Sequence, residues 1–108
     1  MTEINFKNYK ILIGRNQEEN DILINNASPE DYWLHLSNYP SPHVIIQNPT
    51  KKKIHHKVLK QAAYQLKIHS KYRKLKNIEI DITKIKHLQT TNKPGMVIIT
   101  NIIKNIKI

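Results

Sequence analysis

The sequence predicts a single α+β domain in which one short and one long helix pack against a mainly antiparallel sheet. Three observations predict it. Across residues 55–71, Val58, Leu59, Ala62, Ala63 and Leu66 recur at three- and four-residue spacing, which makes one apolar stripe along a helix. Across residues 78–83, Ile78, Ile80 and Ile82 alternate with Glu79, Asp81 and Thr83, the period of a half-buried strand. Short β-branched runs elsewhere are punctuated by turn signals at residues 38–42, which hold Pro40 and Pro42, and at Lys93-Pro94-Gly95.

The elements follow in order. Lys10 to Ile13 is a short apolar strand that stops at Gly14. Gln17 to Asn26 lacks glycine and proline, and Glu18 and Glu19 suit the positive end of a helix. Ile22 and Leu23 are expected to face the core, and the helix closes before Ser28-Pro29. A strand spans Tyr32 to Leu36, and after the proline turn His43 to Gln47 forms another. Residues 48–53 are a polar loop with three consecutive lysines. The long helix runs from about His55 to Lys71, with Lys57, Lys60, Lys67 and Lys71 mostly outside its stripe. After the Ile78–Thr83 strand, Met96 to Thr100 and Ile102 to Ile108 read as a closing hairpin. Met1 to Tyr9 is polar and carries no apolar run.

The 108 residues fit one domain, which can bury roughly two-thirds of its unfolded surface without covalent staples. There is no cysteine, which excludes disulfides, thiolate metal ligands and thiol nucleophiles. No signal peptide and no membrane-length apolar run is visible, so a soluble, intracellular and cytoplasmic protein is expected, or one inside an organelle that encodes it. The formal net charge of +10 is unevenly spread. Residues 1–31 hold six acids and three bases, and residues 32–108 hold two acids and fifteen bases. A lobe so basic attracts polyanions, nucleic acid first. Sixteen of the eighteen bases are lysine in a chain rich in Ile, Lys and Asn, so drift in an AT-rich genome supplies a competing account of part of that charge. No strongly amphipathic terminal helix supports a membrane partner.

Residues 31–43 hold the chemistry. On a strand, Tyr32, Leu34 and Leu36 share one face, and Asp31, Trp33 and His35 share the other. The second row offers an acceptor, a stacking surface and a group that titrates near neutrality. Trp33 is either a platform for an unpaired base or a core indole. Asp31, His35 and His43 have the donor types of a metal site. However, Asp31 and His35 lie roughly 13 Å apart along a strand, too far for one ion, and no metal or cofactor is expected. His35 and His43 either carry structural hydrogen bonds or touch RNA. Arg15, between a glycine turn and a helix start, either holds a phosphate or pairs with Glu18, Glu19 or Asp21. Asn20 and Asp21 cap or tie down the helix. Two basic clusters flank the long helix, Lys51–Lys53 before it and Lys71, Arg73, Lys74 and Lys76 after it. Residues Ser70 to Lys76 are the stronger candidate for backbone contact.

Catalysis finds little support. With only Gly14 and Gly95 there is no glycine-rich phosphate cradle, and neither a nucleophile elbow nor a pair of suitably spaced acids stands out.

The ordered set Gly14-Arg15-Asn16, Asn20-Asp21, Asp31-x-Trp33-x-His35, Pro40-x-x-His43-Val44, Ala62-Ala63, Ser70-Lys71 and Lys93-Pro94-Gly95-Met96-Val97 resembles the NFACT-R family. The resemblance covers residues 9–108 and implies an RNA-binding module like the C-terminal part of RqcH-type ribosome quality-control proteins. It implies contact with tRNA or ribosomal RNA on or near the large ribosomal subunit, and no small-molecule substrate. It also implies a domain standing alone, because the chain has no room for the family's other parts. Two departures are local: Ser41 and Pro42 stand where glycine and serine are usual before the histidine, and His69 stands where a tyrosine is frequent. The expected nucleic-acid-binding residues are Arg15, Asp31, Trp33, His35, His43, Ser70, Lys71, Arg73 and Lys74. The expected function is nonenzymatic RNA binding. The competing readings are a protein-interaction adaptor on the ribosome and a small ribonuclease using His35 and His43.

Overall fold

The computed structural model describes residues 1–94 and 96–108. Strands β1 (Thr2–Phe6) and β2 (Tyr9–Ile13) precede helix α1 (Gln17–Asn26), and β3 (Tyr32–Leu36) and β4 (Val44–Ile46) precede helix α2 (His56–Ile68). Strand β5 (Glu79–Lys84) leads through a 3₁₀ turn (Ile85–His87) to β6 (Leu88–Thr90), β7 (Val97–Ile99) and β8 (Lys104–Lys107). Six strands form one sheet in the order β1-β2-β4-β3-β5-β8, and every neighbouring pair is antiparallel. β6 and β7 pair as a separate two-stranded ribbon. The α+β class therefore holds, with a mostly antiparallel sheet and two helices.

Both faces of the sheet are covered. Under α2, Tyr32, Leu34 and Leu36 of β3 pack with Val44, Ile46 and Ile82 and with the helix stripe Val58, Leu59, Ala62, Ala63 and Leu66. On the opposite face, Trp33 and Ile45 pack with Leu23 and Ile24 of α1, and Leu88, Val97 and Ile99 of the ribbon close over them. Double coverage explains why β4, Val-Ile-Ile, is buried at every position. It also explains why α1 buries Asn20, Leu23 and Ile24, which share one helix face by their three- and four-residue spacing. The expectation that Ile22 faces the core is corrected. Ile22 falls between the buried positions and is exposed.

Two further sequence readings change. β1 is a strand although it contains no apolar run. Thr2, Ile4 and Phe6 alternate inward with Glu3 and Asn5 outward, as an edge strand does. It is joined to β2 by Lys7 and Asn8, both at positive φ (48° and 67°), the conformation of the two-residue turn whose twist suits a hairpin. The expected hairpin of Met96–Thr100 with Ile102–Ile108 is not formed. β7 turns back onto β6, with Leu88 opposite Ile99, and β8 pairs with β5, with Ile80 opposite Ile106. The two segments serve opposite faces, Val97 and Ile99 the α1 side and Ile106 and Ile108 the α2 side, so they cannot share a ladder and keep both sets buried. The turn at Lys93 and Pro94 connects β6 to β7; Gly95 lies outside the described residues.

Candidate nucleic-acid interface

The loop after β2 begins the site. Gly14 is needed where it stands, because a Cβ there would lie 2.1 Å from Asn20 Oδ1. That oxygen accepts the His43 backbone N–H at 3.1 Å, while the Gly14 N–H donates to the His43 carbonyl at 3.0 Å. Gly14, Asn20 and His43 thus lock the start of β4 to α1. Asn16 caps α1 by accepting the Glu19 N–H at 2.9 Å.

His43, buried at the end of the proline turn, meets the two aromatic rings of β3. Trp33 and His35 lie parallel, with centroids 5.5 Å apart, and His43 meets each edge-on at 5.3 Å. Trp33 is only 1% exposed and forms the floor of this cluster, with Nε1 buried and lacking a hydrogen-bond partner among the described residues. His35 above it is partly exposed. Burial lowers its pKa, against the opposing hydrogen bond to the Leu36 carbonyl and the charge of Asp81. Its Nδ1 lies 2.6 Å from that carbonyl, which only accepts, so in the neutral ring Nδ1 carries the proton and Nε2 is the acceptor.

These rings line a cleft of about 520 Å³ between the sheet and the ribbon. Gln17, Pro40, Lys93, Pro94 and Met96 complete its lining with Val97 and Ile99. A second cleft, of about 380 Å³, shares Gln17 and Pro40 and continues past Arg15 and Ser41 to Ser70, Lys71 and Tyr72. Among the described residues, no carboxylate lines either cleft. Tyr72 packs on Tyr39 with ring centroids 4.4 Å apart, which ties the chain after α2 to the proline turn.

The nine residues expected from the sequence separate accordingly. Trp33, His35 and His43 line the first cleft, and Arg15, Ser70 and Lys71 line the second. Arg73 and Lys74 are exposed in the turn that follows. Asp31 lies away from both clefts. It is buried, and its carboxylate accepts the Ser28 and Asn48 N–H groups at 2.9 and 2.8 Å, clamping two loops. The Arg15 guanidinium pairs with Glu19 at 2.8 Å and, chiefly through that hydrogen bonding, holds the Glu19 carboxyl down at about 2. Ser70 is buried, donating to the Lys67 carbonyl at 2.7 Å and accepting the Tyr72 N–H at 3.1 Å, so its hydroxyl shapes the end of α2. Among the described residues no group of three or more His, Asp or Glu could hold a metal ion, and no helix is long and apolar enough to cross a membrane.

Sequence reasoning missed Gln17, Tyr39, Val97 and Ile99. The Lys93-Pro94 turn was legible as a turn, but its place over Trp33 depends on the β6–β7 pairing, which no local signal fixes.

A model of the family described as "NFACT protein RNA binding domain" matches residues 2–101. The chain is similar to the Rqc2 homolog RqcH of Bacillus subtilis (strain 168), 32% identical over 90 residues, which are 81% of this chain and 15% of that protein. It is similar to coiled-coil domain-containing protein 25 of Mus musculus, 30% identical over 94 residues, which are 83% of this chain and 45% of that protein. Among solved structures, the C-terminal part of the fibronectin/fibrinogen-binding protein from Streptococcus suis shares the fold, with a TM-score of 0.83 at 27% identity over 93% of this chain and 40% of that one. The chain spans less than half the length of each of these relatives. With a family model matched across nearly all of its residues, the chain belongs to the NFACT protein RNA binding domain family.

Proposed function

We propose that this domain binds structured RNA, tRNA or ribosomal RNA, without catalysing a reaction on it, in a role tied to ribosome quality control at the large subunit. The observation that carries the reading is the path of two adjoining clefts. It runs from Lys93, across the His35–His43 rings, to Arg15 and Lys71, with no carboxylate in its lining among the described residues. Lys71, Arg73, Lys74 and Lys93 supply phosphate contacts, which give affinity and a steep salt dependence. His35, resting on Trp33 and offering Nε2 as an acceptor, meets an unstacked base in the apolar cleft. Arg15 and Ser70 shape the second cleft, and Asp31 holds the loops behind the first. The histidines suit binding better than acid–base chemistry, since His43 is buried and His35 Nδ1 is engaged by the Leu36 carbonyl.

The test is fluorescence anisotropy with labelled tRNA and a single-stranded RNA over a series of salt concentrations. Wild type is expected to bind with a steep slope and to leave the RNA intact. The variant Lys71→Glu/Arg73→Glu/Lys74→Glu is expected to bind at least about tenfold more weakly, with a slope reduced by about 0.7–0.9 for each phosphate it no longer neutralises. No RNA binding by wild type at physiological salt overturns the proposal.

A further inference from the structure

A larger groove, of about 660 Å³, opens on the other side of the sheet, between the N-terminal end of α2 and the segment that enters β8. Its floor is aliphatic: Ile54, Leu59, Ile82 and Ile103, with Tyr32 beside them. Ile103 is 44% exposed, and its neighbour Ile102 is exposed as well. Lys53 stands on the helix side and Lys104 on the strand side, and no acid among the described residues lines the groove. The first turn of α2 also contains no acid, which leaves the positive end of its dipole unopposed from within the helix. β8 ends the strand order, so its outer edge carries no partner strand among the described residues.

We infer that this groove is a docking site for an extended acidic peptide segment of a protein partner, with one aliphatic or aromatic side chain seated on the aliphatic floor. A carboxylate near Lys53 meets a lysine and a helix N-terminus, and one near the Lys104 ammonium, which lies 2.9 Å from His56 Nδ1, meets a second lysine. The rings that line the groove are the buried Tyr32 and the two exposed histidines His55 and His56, whereas its floor is aliphatic and suits a peptide side chain better than a base. Ile102 and Ile103 are exposed isoleucines on an otherwise lysine-rich surface. This site is separate from the RNA clefts, because Tyr32 and Ile82 belong to the core under α2 and Trp33 belongs to the core on the opposite face.

The test uses the whole chain and ¹⁵N-resolved NMR with short glutamate-rich peptides carrying a central leucine, phenylalanine or tryptophan. Control peptides of equal charge carry serine at that position, and oligouridine serves as the nucleic-acid arm. The apolar-centred peptides are expected to shift the amides of His56, Ile103 and Lys104 while leaving the Trp33 indole resonance in place, and to bind at least about tenfold tighter than the serine controls. Ile103→Glu should abolish that difference, and because Ile103 is exposed the variant's fold can be checked by its unchanged core resonances. Equal binding of the serine peptides, absence of shifts at these amides for every peptide, or displacement of the peptide by oligouridine at the same amides overturns the inference. Failure of RNA to bind at the Trp33 cleft leaves these readouts unchanged, so the two proposals fail separately.

Discussion

Gly14 and Asn20 set the geometry of the site from a distance, because one space serves both. The Asn20 amide oxygen occupies the volume that a Cβ at position 14 would take, and it must stay there to meet the His43 N–H. Gly14→Ala is therefore expected to destabilise the domain by about 1–3 kcal/mol in urea denaturation. Combined with Asn20→Ala it should cost less than the sum of the two single changes, since removing the amide removes the clash. Trp33 is the second residue-scale case. Truncating an indole that forms the floor of a core costs about 3–5 kcal/mol. Trp33→Ala should therefore lower the denaturation midpoint strongly, and its RNA binding has to be compared at a temperature where it remains folded. Sequence alone left two roles open for Trp33, platform or core. Burial depends on whether something covers the second face of β3, and the covering pieces, α1 and the β6–β7 ribbon, come from opposite ends of the chain.

At the scale of elements, the legible pieces were those with a strong local period. The α2 stripe and the β5 alternation lie where the sequence placed them, and α1 has the expected bounds. The pieces that were not legible depend on partners. β1 is recognisable only once β2 pairs with it, and β8 reads as half of a hairpin until the open edge of β5 is known. Junctions between elements are also where charge matters. Glu30, just before β3, bridges Lys84 at 3.0 Å and Lys86 at 2.9 Å, tying β5 and the 3₁₀ turn to that loop. Hydrogen bonds from the two lysines, Lys86 first, hold the Glu30 carboxyl at about 2 instead of 4.5. A lowered folded-state pKa adds stability that is fully present above the ordinary value and is lost as the pH falls toward about 2. Denaturation midpoints followed down that range should fall more in wild type than in Glu30→Gln, which already lacks the titrating group.

Over the whole molecule, α2 separates the two basic clusters that flank it in sequence. Lys53 borders the groove at its N-terminal end, and Lys71 borders the second cleft beyond its C-terminal end, with a helix of 13 residues between them. At 1.5 Å per residue the clusters stand about 20 Å apart, beyond the Debye length of about 8 Å at physiological salt. Their contributions should therefore be distinct. Reversing Lys51, Lys52 and Lys53 to glutamate is expected to weaken RNA binding less, and to lower the salt slope less, than reversing Lys71, Arg73 and Lys74. Equal effects in the anisotropy titration would place RNA along the full length of the helix instead. The net charge of +10 and its two clusters at the ends of the long helix were readable from the sequence, whereas which cleft or groove each cluster borders was not.

The β6–β7 ribbon has a consequence for timing. It forms one wall of the aromatic cleft, yet none of its six strand residues is fully buried, whereas β3 and β4, behind the opposite wall, are buried almost throughout. One side of the cleft is thus cut from the most protected part of the chain and the other from a part with less buried surface, which is expected to open at lower free energy than β3 and β4. Amide hydrogens of β6 and β7 should exchange with solvent far faster than those of β4, and a ligand held in the cleft should slow them selectively. Such selective slowing would mean that part of any binding free energy goes into ordering the ribbon.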